Sequence, residues 1–281
     1  IMQSRYLEGD HLPVLQNAAD PALVACAHAM ADRAAVATMR YFRTPIAIDN
    51  KDGNGGFDPV TAADRAAEQA IAEHLAQVCP DHGLEGEEFG VTRPDARYRW
   101  VVDPIDGTRA FITGSPMWGT LIGLLDRADP IVGLMDQPFT GERFWSDGAT
   151  SFSRRNGGRP VQMRTRSCAS LATAVMMTTD PLLFAPGDER HAFERLRSKV
   201  QLTRYGGDCY AYALLASGFV DIIVECGLKP YDIVALIPIV EAAGGKVTEW
   251  NGGTAARGGC ILATGDPSLH DEILSELNRK A

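Results

Sequence analysis

The sequence predicts a layered α/β fold, in which helices cover the faces of β-sheets. Two observations carry this prediction. The first half of the chain combines long helices with strands that look antiparallel, and the second half alternates strands and helices. The 281 residues are 45% hydrophobic and 22% charged, an ordinary globular composition, and a chain of this length buries a large core.

Two helices are predicted in the first half. Residues 20–42 are Ala-rich with helical spacing, and Asp20-Pro21 is a good cap followed by a first-turn proline. A turn-rich stretch separates this first helix from a second helix over 62–78, for which Thr61 or Asp64 is the candidate cap. Strands are predicted at residues 100–102, 117–126, 130–136 and 142–147.

A Gly- and Arg-containing stretch over residues 154–166 predicts a loop and a subdomain boundary. We therefore expect a single unit over 1–281, with an N-terminal α+β subdomain (about 1–160) and a C-terminal α/β subdomain (about 161–281). Beyond the loop, strands are predicted at 171–179, 219–225, 246–250 and 260–265, and helices at 191–200, 208–218, 231–245 and 267–280.

Composition narrows the classes of function. The formal net charge of −9 argues against a nucleic-acid surface, which is normally basic. No stretch approaches 18 apolar residues, so no membrane span is expected, and the N-terminus lacks a signal-peptide pattern. The six cysteines are scattered without a CxxC pair, which predicts reduced, mostly buried thiols in a cytoplasmic protein.

The segment WVVDPIDGT, residues 100–108, places two acids directly after an apolar run. In a turn fixed by Pro104, Asp103 and Asp106 can converge on one point, where their carboxylates repel unless a cation or a proton lies between them. Mg²⁺ takes oxygen ligands, and the carbonyl of Ile105 could supply another. The alternative is an Asp-rich β-turn, and the motif alone leaves both open.

Three further acids lie at junctions between elements. Glu87 lies between glycines in a loop, which makes it either a solvated surface acid or an acid aimed inward. Asp232 opens an apolar helix and is either its N-cap or a metal ligand. Asp58 either stabilises a turn or belongs to a site. Ligand sites of layered α/β folds form at such junctions, and the runs DGT and GGD add N–H groups suited to a phosphate.

These segments, in this order, resemble the inositol monophosphatase superfamily, whose members are Mg²⁺-dependent, lithium-sensitive phosphomonoesterases. The resemblance covers about residues 20–275 and implies a single catalytic unit with the α-β-α-β-α sandwich of the inositol monophosphatase and fructose bisphosphatase type. It also implies a homodimer that acts on a small phosphorylated metabolite. The matching segments are DPVTAAD (58–64), GEE (86–88), WVVDPIDGT (100–108), and YD (231–232) before a helix that ends in EAAGG (241–245).

The resemblance also implies a site for two to three Mg²⁺ ions. Glu87, Asp103 and the carbonyl of Ile105 would hold the first ion. Asp103, Asp106 and Asp232 would hold the second, and a third, weaker ion would lie near Glu87. Two such cations stabilise the entering and leaving oxygens of a phosphate ester and lower the pKa of bound water.

Catalytic and substrate residues follow from the same resemblance. Thr108, oriented by Asp58, would help to activate the attacking water, with Glu87 and Asp106 in the same catalytic set. The implied substrate-binding residues are Gly107 and Thr108 through their N–H groups, together with Arg109, Gly207, Asp208 and Glu225.

Three segments distinguish this chain from the inositol phosphatases and resemble histidinol-phosphate phosphatases: DGTRAFITG (106–114), GGDCYAY (206–212) and LKPYD (228–232). L-Histidinol phosphate carries an amine, which favours nearby carboxylates, and Asp208 and Glu225 are the two candidates. Asp208 could also be the N-cap of the helix that it opens. Whether Arg109 pairs with an acid or reaches the substrate stays open.

Three alternatives remain at this stage. The first is an inositol-1-monophosphatase or a broad-specificity phosphatase of the same superfamily. The second is a bisphosphate nucleotidase or a fructose bisphosphatase, both of which usually need added basic or larger substrate elements that the sequence does not clearly show. The third is a non-catalytic regulator on the same fold, which would be expected to have lost at least one metal-binding acid, and none is missing.

Overall fold

The computed structural model describes residues 18–50 and 59–279, and all statements of structure concern these residues. The helices are α1 (Pro21–Thr38), α2 (Ala62–Val78), α3 (Thr108–Ile112), α4 (Asp188–Arg197), α5 (Asp208–Ala216), α6 (Pro230–Ile233), α7 (Leu236–Glu241) and α8 (His270–Leu277). Short 3₁₀ helices lie at Leu171–Thr173, Pro181–Leu183, Ala255–Arg257 and Pro267–Leu269.

The strands form three sheets. A two-stranded sheet pairs β1 (Ile48–Asn50) with β2 (Pro59–Thr61). The eight-stranded sheet, in the order β10-β9-β8-β7-β6-β5-β3-β4, contains β3 (Gly83–Gly86), β4 (Gly90–Thr92), β5 (Tyr98–Asp106), β6 (Gly119–Asp126), β7 (Asp129–Gln137), β8 (Glu142–Ser146), β9 (Ser151–Arg155) and β10 (Val161–Gln162). The five-stranded sheet, in the order β12-β11-β13-β15-β14, contains β11 (Val175–Thr178), β12 (Leu202–Tyr205), β13 (Ile222–Leu228), β14 (Lys246–Glu249) and β15 (Gly259–Thr264).

The two larger sheets alternate with three layers of helix. α1 and α2 pack on one face of the eight-stranded sheet, and α6 and α7 pack on its other face. α5 and α7 contact each other and both sheets, so they lie between them, and α4 and α8 cover the far side of the five-stranded sheet. Separate apolar cores fill the spaces between these layers. The predicted α-β-α-β-α sandwich is confirmed, whereas the division into subdomains near residue 160 stays a prediction.

The first two helices begin as their capping residues predict. Asp20 caps α1 by accepting a hydrogen bond from the N–H of Ala22 at 2.9 Å, and the helix ends at Thr38, four residues before its predicted end. Thr61 is the N-cap of α2, and Asp64 accepts the Thr61 N–H at 2.8 Å, so the two candidate caps act together as a capping box.

Strand β5 is longer than predicted, and Asp103 and Asp106 lie within it rather than in a turn after it. Asp103 is opposite Leu121 on β6, and Asp106 is opposite Gly119. Three steps along β5 therefore match two along β6, which defines a β-bulge. In a regular strand, residues three apart point to opposite faces, and the bulge brings the two acids to the same side.

The helix predicted over 231–245 is two short helices, α6 and α7. Pro238 has no N–H to donate to the carbonyl of Val234, and its ring clashes with that carbonyl in a continuous helix. The break at Val234 and Ala235 lies against glycines of the eight-stranded sheet. A Cβ atom at Gly133 would lie 1.9 Å from the Ala235 carbonyl oxygen, and a Cβ at Gly123 would lie 2.8 Å from the Ala235 nitrogen. The sheet and the break can approach this closely because neither position carries a side chain.

One prediction about the cysteines is wrong. Cys226 on β13 and Cys260 on β15 form a disulfide, although all six cysteines were expected to be reduced. The antiparallel pairing of β13 with β15 brings the two residues opposite each other, immediately beyond the pair Glu225 and Ile261. Their separation of 34 residues in the sequence gives no sign of this contact. Cys26, Cys79, Cys168 and Cys209 are free thiols.

Among the described residues, no helix has both the length and the apolar character needed to cross a membrane.

The contact at Gly133 gives a test of the layer packing. We expect Gly133→Ala to lower the free energy of unfolding by about 3 kcal/mol or more, because the new methyl overlaps the Ala235 carbonyl and the backbone must move. Gly265→Ala is the matched control, since its Cβ meets its nearest neighbours at 3.5 Å. Urea unfolding measures both. Equal stability of the two variants would contradict the close approach.

Candidate active site

A cavity of about 310 Å³ opens where β5, α3, α5, β13 and α6 meet. Ten of the predicted site residues line it: Glu87, Asp103, Ile105, Asp106, Gly107, Thr108, Arg109, Asp208, Glu225 and Asp232. Gly207 is not in the cavity wall, and Asp58 lies outside the described residues. The structure thus brings together residues that are up to 145 positions apart in the chain.

Three carboxylates meet at one end of this cavity. Oxygens of Asp103, Asp106 and Asp232 all lie within 4.8 Å of one another. Burial raises the pKa of Asp103 well above its ordinary value, and the nearby charges of Glu87, Asp106 and Asp232 raise it further. Burial raises the pKa of Asp106 in the same way, with Asp208 and Asp232 as the neighbouring charges. Such a cluster of oxygen ligands fits a hard divalent cation, which would relieve the repulsion.

Local hydrogen bonds hold the Asp103–Thr108 segment. The Ile105 N–H donates to Asp103 Oδ1 at 2.9 Å, and the Thr108 hydroxyl donates to the Ile105 carbonyl at 3.1 Å. Gly107 has a φ of 85°, and a Cβ there would lie 2.9 Å from the Met117 carbonyl oxygen, so glycine is required between β5 and α3. The carbonyl that was predicted to bind a metal therefore also orients the predicted water-activating threonine.

Asp232 is the third residue of α6 rather than its N-cap. Its Oδ2 accepts the backbone N–H of Lys229 at 2.7 Å. One carboxylate oxygen thus stabilises the first turn of the helix, and the carboxylate also belongs to the acid cluster. Burial is the main reason that the pKa of Asp232 rises to about 7, and Glu87 and Glu225 add to the increase.

Glu68, which the sequence analysis did not single out, supports the loop that carries Glu87. This acid of α2 is fully buried, and its two oxygens accept the N–H groups of Glu88 at 2.8 Å and Phe89 at 2.9 Å. A Cβ at Gly86 would overlap the Glu68 carboxylate at 1.9 Å. Gly86, the residue before Glu87, therefore leaves the space that the buried Glu68 carboxylate occupies. The sequence offered one indication of this role: Glu68 is a charged residue among the alanines on the buried face of the predicted helix.

A second pair of acids, Asp208 and Glu225, lies in the same cavity. Glu225 is 3% exposed and accepts the N–H of Thr179 at 3.0 Å, the Thr179 hydroxyl at 2.6 Å and the Tyr212 hydroxyl at 2.9 Å. Thr179 Oγ1 also accepts the Asp208 N–H at 3.1 Å, so one hydroxyl joins the two acids. Thr179 and Tyr212 were not predicted. The sequence offered one indication for Tyr212, which lies one helical turn after Asp208 and so on the same face of the predicted helix.

Asp208 has an unusual backbone and a strongly shifted carboxylate. Its φ of 43° is left-handed, a region that Asp tolerates better than most residues. It is the first residue of α5, so the N-cap alternative is wrong, because Gly207 holds that position. Burial raises the pKa of Asp208 to about 7, Glu225 adds to the increase, and Arg109 opposes it. Arg109 therefore acts electrostatically on Asp208.

Gly207 has a packing role instead of a place in the cavity wall. A Cβ at this position would lie 2.7 Å from the side chains of both Ala211 and Met177.

A backbone N–H group of α5 binds the acid cluster directly. The Cys209 N–H, in the first turn of α5, donates to Asp106 Oδ2 at 2.7 Å and connects that acid to the second pair.

Comparison with known proteins agrees with this geometry. A model of the inositol monophosphatase family matches residues 21–281. The chain belongs to the inositol monophosphatase family. It is 44% identical over 264 residues to the bifunctional phosphatase IMPL2, chloroplastic, of Arabidopsis thaliana, which covers 90% of this chain and 74% of that protein. It is 37% identical over 252 residues to a histidinol-phosphatase of Mycobacterium tuberculosis, which covers 89% of this chain and 95% of that protein.

Solved structures of the family share the fold. An inositol monophosphatase from Zymomonas mobilis has a TM-score of 0.81 and 41% sequence identity, over 92% of this chain and 98% of that one. As a family member, the protein is a phosphatase with a cluster of acids that could bind metal. The predicted family is thereby confirmed.

The Glu68 contacts predict a positioning role in this phosphatase. We expect Glu68→Gln to weaken divalent-cation binding by about tenfold, because an amide cannot accept both N–H groups of the Glu87 loop with both of its ends. Glu73→Gln, at an exposed position of the same helix, should leave affinity unchanged. Calorimetric titration with the cation measures both. Equal affinities would show that Glu68 does not position the loop.

Proposed function

We propose that the protein is a Mg²⁺-dependent phosphatase that hydrolyses L-histidinol phosphate to L-histidinol and phosphate. The observation that carries this proposal is the presence of two separate acid sets in one cavity. Asp103, Asp106 and Asp232 form the first set, and Asp208 and Glu225 form the second. The first set suits the cations that a phosphate ester requires, and the second suits the positive charge of an amine substrate.

The second acid set supports an amine-bearing leaving group. A cation beside a buried carboxylate favours its ionised form, and charge-assisted hydrogen bonds are about twice as strong as neutral ones. Hydrogen bonds from Thr179 and Tyr212 orient Glu225 before substrate binds. A neutral polyol such as inositol would bring no positive charge to this pair of acids. Similarity to the M. tuberculosis histidinol-phosphatase supports the same substrate.

The first acid set would hold Mg²⁺, with Glu87 and the Ile105 carbonyl as further ligands, for two to three ions in all. Bound Mg²⁺ would polarise the phosphate and lower the pKa of a water molecule. The chain itself would do the remaining work. Thr108, together with Asp58, would orient the attacking water, with Glu87 and Asp106 beside it. The N–H groups of Gly107 and Thr108 would bind phosphate oxygens.

Arg109 and the quaternary structure complete the proposal. Arg109 would contact the substrate in addition to its effect on Asp208. The family resemblance further supports a homodimer, which light scattering in solution would test.

The second candidate function is hydrolysis of inositol 1-phosphate or of a broader set of monoesters. The Zymomonas structure, which is described as an inositol monophosphatase at 41% identity, favours this candidate. The two candidates differ in the charge of the alcohol that leaves, so the second acid set distinguishes them.

Substrate comparison tests the choice. We expect kcat/KM for L-histidinol phosphate to exceed that for inositol 1-phosphate by at least about tenfold, and Asp208→Asn to reduce only the former by about 10–100-fold, the value of a charge-assisted hydrogen bond. Asp188→Asn, which also opens a helix but is exposed, is the matched control. Phosphate release measures the activity of all three proteins on both substrates. Preference for inositol 1-phosphate, or equal losses on both, would overturn the proposal.

Removal of the cation tests the first acid set. A chelator should abolish activity, and added Mg²⁺ should restore it. Asp103→Asn should also abolish activity, yet it should raise the melting temperature of the cation-free protein by about 2–4 °C, because it removes one buried charge from a repelling cluster. Calorimetry with and without Mg²⁺ measures this. A lower melting temperature in the cation-free variant would contradict the repulsion.

A further inference from the structure

A second group of possible metal ligands lies beside the catalytic cavity. Cys226 lines the cavity, and its disulfide partner Cys260 lies on the neighbouring strand. A carboxylate oxygen of Glu189, in the first turn of α4, lies within 4.8 Å of both sulfur atoms. We propose that Cys226, Cys260 and Glu189 form a binding site for a soft divalent cation such as Zn²⁺, open only when the disulfide is reduced.

Three separate elements hold these ligands in place. The pairing of β13 with β15 keeps the cysteines opposite each other whether or not the sulfurs are bonded. The Glu189 Oε2 accepts the N–H of Ala185 at 2.8 Å, which orients the carboxylate. Tetrahedral zinc, with bonds of about 2.0–2.3 Å, separates its ligand atoms by roughly 3.3–3.8 Å. Ligand atoms that already lie within 4.8 Å of one another need only small side-chain rotations to reach this geometry.

The ligand types distinguish this site from the Asp103, Asp106 and Asp232 cluster. Two thiolates and one carboxylate select Zn²⁺ over Mg²⁺, because Mg²⁺ prefers oxygen ligands and strict octahedral geometry. Three protein ligands leave the fourth tetrahedral position to water. The two sites can therefore be filled independently, each with a different metal, and this proposal does not depend on the identity of the phosphate ester.

The disulfide and the cation exclude each other. A dithiol reductant opens the bond by attack of its thiolate on the Cys260 sulfur, which is half-buried, whereas Cys226 is 2% exposed. The second thiol of the reductant then releases Cys260, so the reductant becomes a disulfide and both cysteines become thiols. Two electrons and two protons pass to the protein. Binding of Zn²⁺ then releases the two thiol protons.

Co²⁺ is a suitable probe, since a thiolate–Co²⁺ bond gives an intense charge-transfer absorption that oxygen ligands do not give. The full-length protein would be titrated with Co²⁺ in excess Mg²⁺, before and after reduction by a dithiol that is then removed. We expect the band only in the reduced protein, saturating at one equivalent per chain. The oxidised protein is a control that needs no substitution.

Variants assign the ligands. Cys226→Ser and Cys260→Ser should each remove most of the band, and Glu189→Gln should weaken Co²⁺ binding by about tenfold while it keeps the band. Cys79→Ser, at a cysteine outside the disulfide that is not fully buried, should match the wild type. Absence of the band from the reduced wild-type protein, or a band of full strength in either of the first two variants, would overturn the proposal.

Discussion

The repulsion among three carboxylates is the constraint on which the site depends. Carboxylate oxygens of Asp103, Asp106 and Asp232 lie within 4.8 Å of one another, and burial raises the pKa of each acid, with neighbouring carboxylates of the cavity adding to the increase. Such an arrangement is unfavourable by itself, so other parts of the fold must maintain it. The apolar cores on both sides of the eight-stranded sheet supply this stability, and a bound cation would remove the cost.

Two local irregularities place the acids, and close packing fixes the irregularities. The bulge in β5 turns Asp103 and Asp106 to the same side, and the break between α6 and α7 points the first turn of α6, with Asp232, toward them. Gly133 lets the sheet approach the broken helix at Ala235 more closely than any other residue could. The geometry of the acid cluster is therefore a consequence of backbone contact between two layers rather than of the side chains alone.

The sequence was sufficient to predict the layers and most residues of the cavity, because amphipathic periodicity and the WVVDPIDGT motif are local signals. It did not reveal Glu68, Thr179 or the Cys226–Cys260 disulfide, since each acts through contacts between distant segments. Glu68 reaches a loop about 20 residues away, and Thr179 reaches Glu225 across 46 residues. The bulge was missed for another reason: Asp-Pro and Asp-Gly pairs are typical of turns, so a strand that continues through them was not expected.

The charge of the cavity connects the two acid sets. Among the residues that the structure describes, six acids line the cavity against two basic residues, Arg109 and Lys229; the acids are Glu87, Asp103, Asp106, Asp208, Glu225 and Asp232. A phosphate ester is an anion and would be repelled by this wall until divalent cations bind to the first set. The second set would still be negative after those cations bind. A substrate with an anionic phosphate at one end and a cationic amine at the other would complement both acid sets, whereas a neutral alcohol would add no positive charge beside Asp208 and Glu225.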